Sequence, residues 1–242
     1  MKKLILIFVV VSVVFAICII KLFSSLPETH APREVRVTES KIETASIIKV
    51  PTINQYPELP TGCESVAAVM VLQYYGSDIT PRYFAENWLQ CDTLFYSFEG
   101  KSYGPDPHEV FAGNPFSESS YGCFAEPVVK AVNSNSQEHR AELIKGEALD
   151  DLCSEYIDKD KPLLIWATMG MKQSKKGRSW YLKDGSLFTW TAGEHCLVLV
   201  GYNEDYYFLN DPQTGSTVAY EKIIVKKRYE ELGKQAVYIS KV

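Results

Sequence analysis

The sequence predicts an α+β domain, and three observations carry that prediction. From Pro60 to about Asp160 apolar residues recur at helical spacing between long loops. After Pro162 the chain changes to short runs rich in β-branched and aromatic residues. Tight turn signals separate those runs, and no helix alternates with them, so the second half reads as an antiparallel sheet. A composition of 46% hydrophobic and 12% aromatic residues in a chain of 242 is ample for a packed core. Six cysteines are too few for a disulfide-held scaffold.

The domain is expected over residues 46–242, behind a polar stalk at 22–45 and an apolar segment within 1–21. Leu4 to Ile20 is a run of 17 residues in which only Ser12 is polar, and it follows Lys2 and Lys3. That is the low end for a membrane span and long for the core of a cleaved signal. Small residues suited to an A-x-A cleavage site are missing, and Phe15-Ala16-Ile17 is a poor lead-in to a lipidated Cys18. The segment therefore reads as an uncleaved anchor through residues 4–20, with a cleaved signal peptide as the competitor. The basic end stays inside, which places the body outside the cytoplasm, at the cell surface or secreted. The formal charge of −5 includes the cations of this segment; residues 22–242 hold 22 Lys+Arg against 30 Asp+Glu, or −8. An acidic body argues against nucleic acid as a partner.

Element by element, residues 62–75 predict a helix stopped by Gly76, and Thr80-Pro81 opens a second one running to about Gln90. Residues 99–123 read as a long ordered loop, and helices follow near 125–133 and 147–158. LLIWAT is the first strand of the back half. SWYLKDGSLFTW is a hairpin turning at Asp184-Gly185. HCLVLVGY, YYFLN and QAVYIS are the remaining strands.

Chemistry begins at Cys63. Thr61-Gly62-Cys63-Glu64 has the form of a capping box, with Thr61 as N-cap and Glu64 at the third helical position. Cys63 then stands in the first turn, where free N–H groups and the helix dipole favour a thiolate. Glu64 argues the other way unless its carboxylate turns back into the cap. The helix behind is apolar nearly all round and belongs in the centre of the domain. Taken alone, Cys63 is as readily an inert buried thiol.

His195 opens an otherwise apolar strand, and Asp211 closes the next one. If Asn203-Glu204-Asp205 form the loop between them, Asp211 opposes Leu197 and shares a face with His195. A two-residue loop would send Asp211 to the other face and offer Asn210 instead. Asp211 would hold Nδ1–H of the imidazole so that Nε2 takes the thiol proton. Gln55, eight residues before Cys63, can supply an amide N–H to an oxyanion beside the Cys63 backbone N–H.

VPTINQYPELPTGCESVAAVMVLQYYG resembles the nucleophile segment of the papain-like cysteine peptidases related to bacteriocin leader peptidases, the Peptidase_C39-like family. GEHCLVLVGYNEDYYFLNDPQTG resembles that family's second block, and the likeness covers most of 46–242. It implies a papain-like cysteine peptidase fold, with the nucleophile helix packed on a C-terminal antiparallel sheet. It implies Cys63 as nucleophile, His195 as base, Asp211 as its orienter and Gln55 as the oxyanion residue. The reaction would be hydrolysis of a peptide or protein substrate through a thioester, with no cofactor. The chain has no G-x-x-x-x-G-K-[ST] and no six-helix permease, which sets it apart from the bacteriocin exporters.

Competing signals are weak. Gly100-Lys101-Ser102-Tyr103-Gly104 matches G-x-S-x-G, but Pro105 and Pro107 bar the helix that motif requires. There is no H-E-x-x-H and no C-x-x-C, so no metal is indicated. His108 and His139 read as surface or loop residues, and Trp180 and Trp190 as groove-lining or core aromatics. Cys91, Cys123, Cys153 and Cys196 are open to disulfide formation, with Cys196 pointing into the core. Two other functions fit the same residues: a surface binding module on an inactive peptidase fold, and a related Cys-His acyl transferase or cell-wall amidase.

Overall fold

The computed structural model describes residues 46–242; the expected anchor and stalk lie outside the described residues. In chain order the helices are α1 (Cys63–Tyr74), α2 (Pro81–Tyr83, continued by a π-helical turn Phe84–Trp88), α3 (Ala125–Asn135), α4 (Leu149–Glu155) and α5 (Lys222–Glu231). The strands are β1 (Cys91–Asp92), β2 (Tyr96–Phe98), β3 (Lys101–Tyr103), β4 (Phe111–Ala112), β5 (His139–Lys145) and β6 (Leu163–Thr168). They continue with β7 (Lys175–Tyr181), β8 (Leu187–Ala192), β9 (Glu194–Tyr202), β10 (Tyr206–Asp211), β11 (Ser216–Glu221) and β12 (Gln235–Lys241). Among the described residues no helix is long and apolar enough to cross a membrane.

A six-stranded sheet in the order β11-β10-β9-β6-β12-β5 organises the molecule, and every pairing in it is antiparallel. Its central strands β6 and β9 are buried from Leu163 to Thr168 and from Glu194 to Gly201. Helix α1 packs against both. Its residues Cys63 through Leu72 are all buried, which is why the helix has no polar face. Burying Val66, Val69, Met70, Val71 and Leu72 is worth about 1.5–3 kcal/mol each. A lost N-cap costs only ~1 kcal/mol, so packing and not capping holds this helix.

That matters because the expected capping box does not form. Gly62 is the N-cap and offers no side-chain bond, so Cys63 is the first helical residue and Glu64 the second. The Thr61 hydroxyl donates instead to the carbonyl of Ser117 at 2.9 Å, drawn off by the loop that passes over the helix tip. At α2 the cap does form: the Thr80 hydroxyl accepts from Tyr83 N–H at 3.2 Å.

The expected loop at 99–123 contains β3 and β4. The β2–β3 hairpin joins β7 and β8 in a separate sheet of order β2-β3-β7-β8, with β3 and β7 parallel. Ser102 therefore lies on a strand, not at a strand-to-helix elbow. Strands β5 and β11 and helix α5 were not foreseen. His139 opens β5 and is buried, where a surface position was expected, and its ring meets Ser136 at 3.1 Å. His108 is partly exposed and pairs with Glu126 at 3.2 Å. Trp180 is fully buried, donates to Pro105 O at 2.8 Å, and belongs to an aromatic cluster with Phe95, Tyr121 and Phe188. Trp190 is buried beside it against Tyr121 and Phe124. Both tryptophans are core residues.

Candidate active site

The β9–β10 register decides where Asp211 points. Near the turn, Tyr202 pairs with Tyr207 and Gly201 with Phe208, and Asn203 N–H donates to Tyr206 O at 2.9 Å, a register one residue off that of the three-residue loop. Carried on unbroken, that register would put Asp211 opposite Val198, on the face away from His195. A bulge intervenes: beyond it Leu199 pairs with Leu209 and Val198 with Asn210, leaving Val200 as the extra residue. The shift returns Asp211 to the His195 face, the outcome the three-residue loop predicted by another route. Ile47 and Ile48 occupy the bulge, with Ile48 N–H donating to Val200 O at 2.8 Å and Ile47 bridging to Gly201.

His195 and Asp211 then meet at 2.7 Å, at 2% and 1% side-chain exposure. The nitrogen in contact is Nε2, so the ring is turned over relative to the expectation, and Nδ1 is the nitrogen not engaged by Asp211. Asp211 also accepts Gln213 N–H at 2.8 Å and the Tyr220 hydroxyl at 3.1 Å. Burial works to raise its pKa, but the bonds from His195, Gln213 and Tyr220 together hold the carboxyl below the ordinary aspartate range. Asn210, the alternative orienter, is committed elsewhere, donating to Val50 O at 3.0 Å and accepting from Thr217.

The Cys63 sulfur lies against the residue that follows His195 on β9. Cys196 N–H, one residue past His195, donates to Sγ at 3.4 Å. The thiol also lies 3.4 Å from Glu64 Oε2. The helix tip does not deliver the expected thiolate: burial first, then the Glu64 and Glu194 carboxyls, push the Cys63 thiol well above its usual range. Glu64 does not turn back into the cap, because its Oε1 accepts Cys123 N–H at 2.6 Å. Burial raises its own pKa to about 7.

Gln55 is buried, and its backbone N–H donates to Pro212 O at 2.8 Å, tying its loop to the turn after Asp211. Gly215 makes the contact possible: its φ is +65°, and a Cβ there would stand 2.8 Å from Asn54 Cβ. The side-chain Nε2 donates to Pro60 O at 2.8 Å, which fixes the amide with one N–H still to spare.

The sequence reading missed Glu194, the Cys196 N–H and Tyr220. Glu194 adjoins His195, but a charged residue at a strand mouth is usually solvated, so its burial was not legible. The Cys196 contact is a backbone group and has no sequence signal. Donor atoms of Cys63, Glu64 and Glu194 lie within 4.8 Å of one another. Glu64 Oε1 is engaged by Cys123 N–H, and burial pushes both carboxyls toward the neutral form. The five cysteines of the described residues are free thiols, and only Cys91 is exposed.

Residues 47–237 match the Peptidase_C39 like family. The uncharacterized protein YvpB of Bacillus subtilis strain 168 is 26% identical over 185 residues, 76% of this chain and 71% of that protein. A crystal structure described as that of a C39-like peptidase from Bacillus anthracis superposes with a TM-score of 0.71 at 25% identity, covering 82% of this chain and 98% of the other.

Proposed function

The chain belongs to the Peptidase_C39 like family, and from that premise we propose that it is an extracytoplasmic cysteine peptidase that cleaves peptide bonds through Cys63, His195 and Asp211. One observation supports this most: a buried His195–Asp211 pair at 2.7 Å, one residue from the N–H that touches the Cys63 sulfur. In this reading the Cys63 proton passes to His195 Nδ1 and the sulfur attacks the amide carbonyl. The Cys63 N–H and the spare Gln55 N–H receive the developing oxyanion. His195 returns the proton to the leaving amine, and water hydrolyses the thioester. Because the resting thiol is held protonated, His195 has to act as base during attack and not as the standing partner of a thiolate.

The extracytoplasmic part rests on Lys2, Lys3 and the apolar run Leu4 to Ile20, read as an anchor for one domain over 46–242. Protease shaving of intact cells, probed by antibodies to the body, tests it. Full protection of the body would refute an outward orientation. The chemistry is tested by alkylation of Cys63, followed by mass spectrometry of its peptide, in the wild type and His195→Ala. A base within reach predicts a rate at neutral pH about 10-fold or more above that of the variant. Equal rates would favour the second reading, an inactive binding module, which the 5% exposure of Cys63 also fits.

A further inference from the structure

Two carboxyl groups flank the Cys63 sulfur, and the reaction above uses neither. Sγ and one oxygen of each of Glu64 and Glu194 lie within 4.8 Å of one another. Glu64 is 0% and Glu194 7% exposed. Glu194 Oε1 is buried and has no hydrogen-bond partner. Gly122 leaves the space in which the two carboxyls converge. A Cβ there would stand 2.6 Å from Glu64 Oε1 and 2.9 Å from Glu194 Oε2. The titratable groups around the pair are Cys63 on α1, His195 and Cys196 on β9, Cys123 before α3 and Cys91 on β1. Of these only His195 can carry a positive charge, and it is already engaged by Asp211. Two carboxylates in such a site cannot both ionise readily, and one keeps a proton.

We propose that Glu194 is a positioning residue that shares a proton with Glu64, and that this proton governs how readily Cys63 ionises. While the pair holds its proton, a single negative charge faces Sγ as the S–H bond breaks and its proton moves to His195. When the pair loses that proton to solvent, a second charge opposes the forming thiolate. The nucleophile is then withdrawn on the alkaline side, and the enzyme works on the acid side of the pair's titration. Burial raises both carboxyls, Glu64 to about 7, which sets this step near neutrality. The gating deepens the nucleophile reading of Cys63 and rests on it, whereas the shared proton does not.

The test uses the full chain and Glu194→Gln, which keeps the shape and cannot ionise. Alkylation of Cys63 above neutral pH should run about 10-fold faster in the variant, as one lost charge lowers the thiol pKa by a unit or more. A residue that merely supports the fold predicts an unchanged or slower rate, and either result overturns the gating. Infrared spectra supply a readout independent of the thiol. The wild type at neutral pH should show the C=O band of a buried protonated carboxyl, and Glu194→Gln should reduce it to the part that Glu64, raised to about 7 by burial, still carries. Absence of that band in the wild type overturns the shared proton even if the variant fails to fold. If the band is present and reduced as expected but His195→Ala leaves Cys63 reactivity unchanged, the peptidase reading fails and the shared proton stands.

Discussion

Cys63 carries two opposed electrostatic instructions, and burial decides between them. Its place at a helix N-terminus favours the anion by at most a kcal/mol or two. Removal from water and the neighbouring Glu64 and Glu194 carboxyls act the other way and win. Glu64 would have been harmless in a capping box, but Cys123 N–H takes its carboxylate. At the same scale, Gln55 is separable from the thiol chemistry, since alkylation forms no oxyanion. Gln55→Ala should lower kcat for peptide hydrolysis about 10²–10³-fold with KM little changed, while the alkylation rate of Cys63 stays as in the wild type. Loss of both together would mean that Gln55 holds the helix tip in place instead. Asp211→Ala leaves a buried imidazole without its partner and should cost about 3–5 kcal/mol of stability. Asp211→Asn keeps the volume and an acceptor for Nε2–H, so its urea midpoint should lie well above that of Asp211→Ala.

Among the elements, the β9 bulge has the largest consequence. One extra residue, Val200, reverses which face Asp211 occupies, because side chains alternate with a period of two. The hairpin was legible from HCLVLVGY and YYFLN, but its register at the turn was not, and the bulge offsets that difference by the same one residue. Gly201 keeps the strap at 46–48 against the bulge: a Cβ there would meet Ser46 O at 2.8 Å and Ile47 Cα at 3.2 Å. Gly201→Ala should therefore destabilise the protein by about 1–3 kcal/mol in urea titration. A change within a few tenths would show that the strap gives way without cost. Helix α1 was legible to within a residue, since ten successive buried positions leave no other reading of GCESVAAVMVLQYY. Strand β11 and helix α5 were not: STVAYE lies partly exposed, and KIIVKKRYEE has a mixed apolar and charged pattern without a clear face.

For the whole molecule, the buried carboxyls make stability depend on pH in a direction that can be worked out. The folded pKa of Glu64 is raised to about 7 from an ordinary value of 4.5. Its contribution is thus fully present below about pH 4.5 and lost as pH rises through about 7, a change on the order of 3 kcal/mol. Asp211 has a lowered pKa, so its contribution is present above the unfolded value near 3.9 and lost as pH falls through the folded one. Chemical denaturation should find the protein most stable in mildly acid solution, with the urea midpoint falling between about pH 5 and 8. Glu194→Gln should flatten that fall, and a midpoint independent of pH over this range would contradict the buried carboxyl pair. Mildly acid conditions are also those in which the proposed nucleophile is least opposed, so stability and reactivity favour the same side of neutrality.

The sequence by itself determined the α+β division, the buried helix that carries Cys63 and the order Gln55, Cys63, His195, Asp211, because these rest on periodicity and on residue types along one strand of chain. It also carried the family resemblance, through two blocks whose residues are contiguous. The tertiary structure alone decided the ring nitrogen that His195 turns to Asp211, the face Asp211 occupies, the protonation of Cys63 and the pairing of Glu64 with Glu194. Each of those depends on removal from water or on contact between segments far apart in sequence: Glu64 and Glu194 meet only because α1 packs its tip on β9. Periodicity tells which side chains leave water. It does not tell which charged groups they leave water with, and at this site that company sets the chemistry.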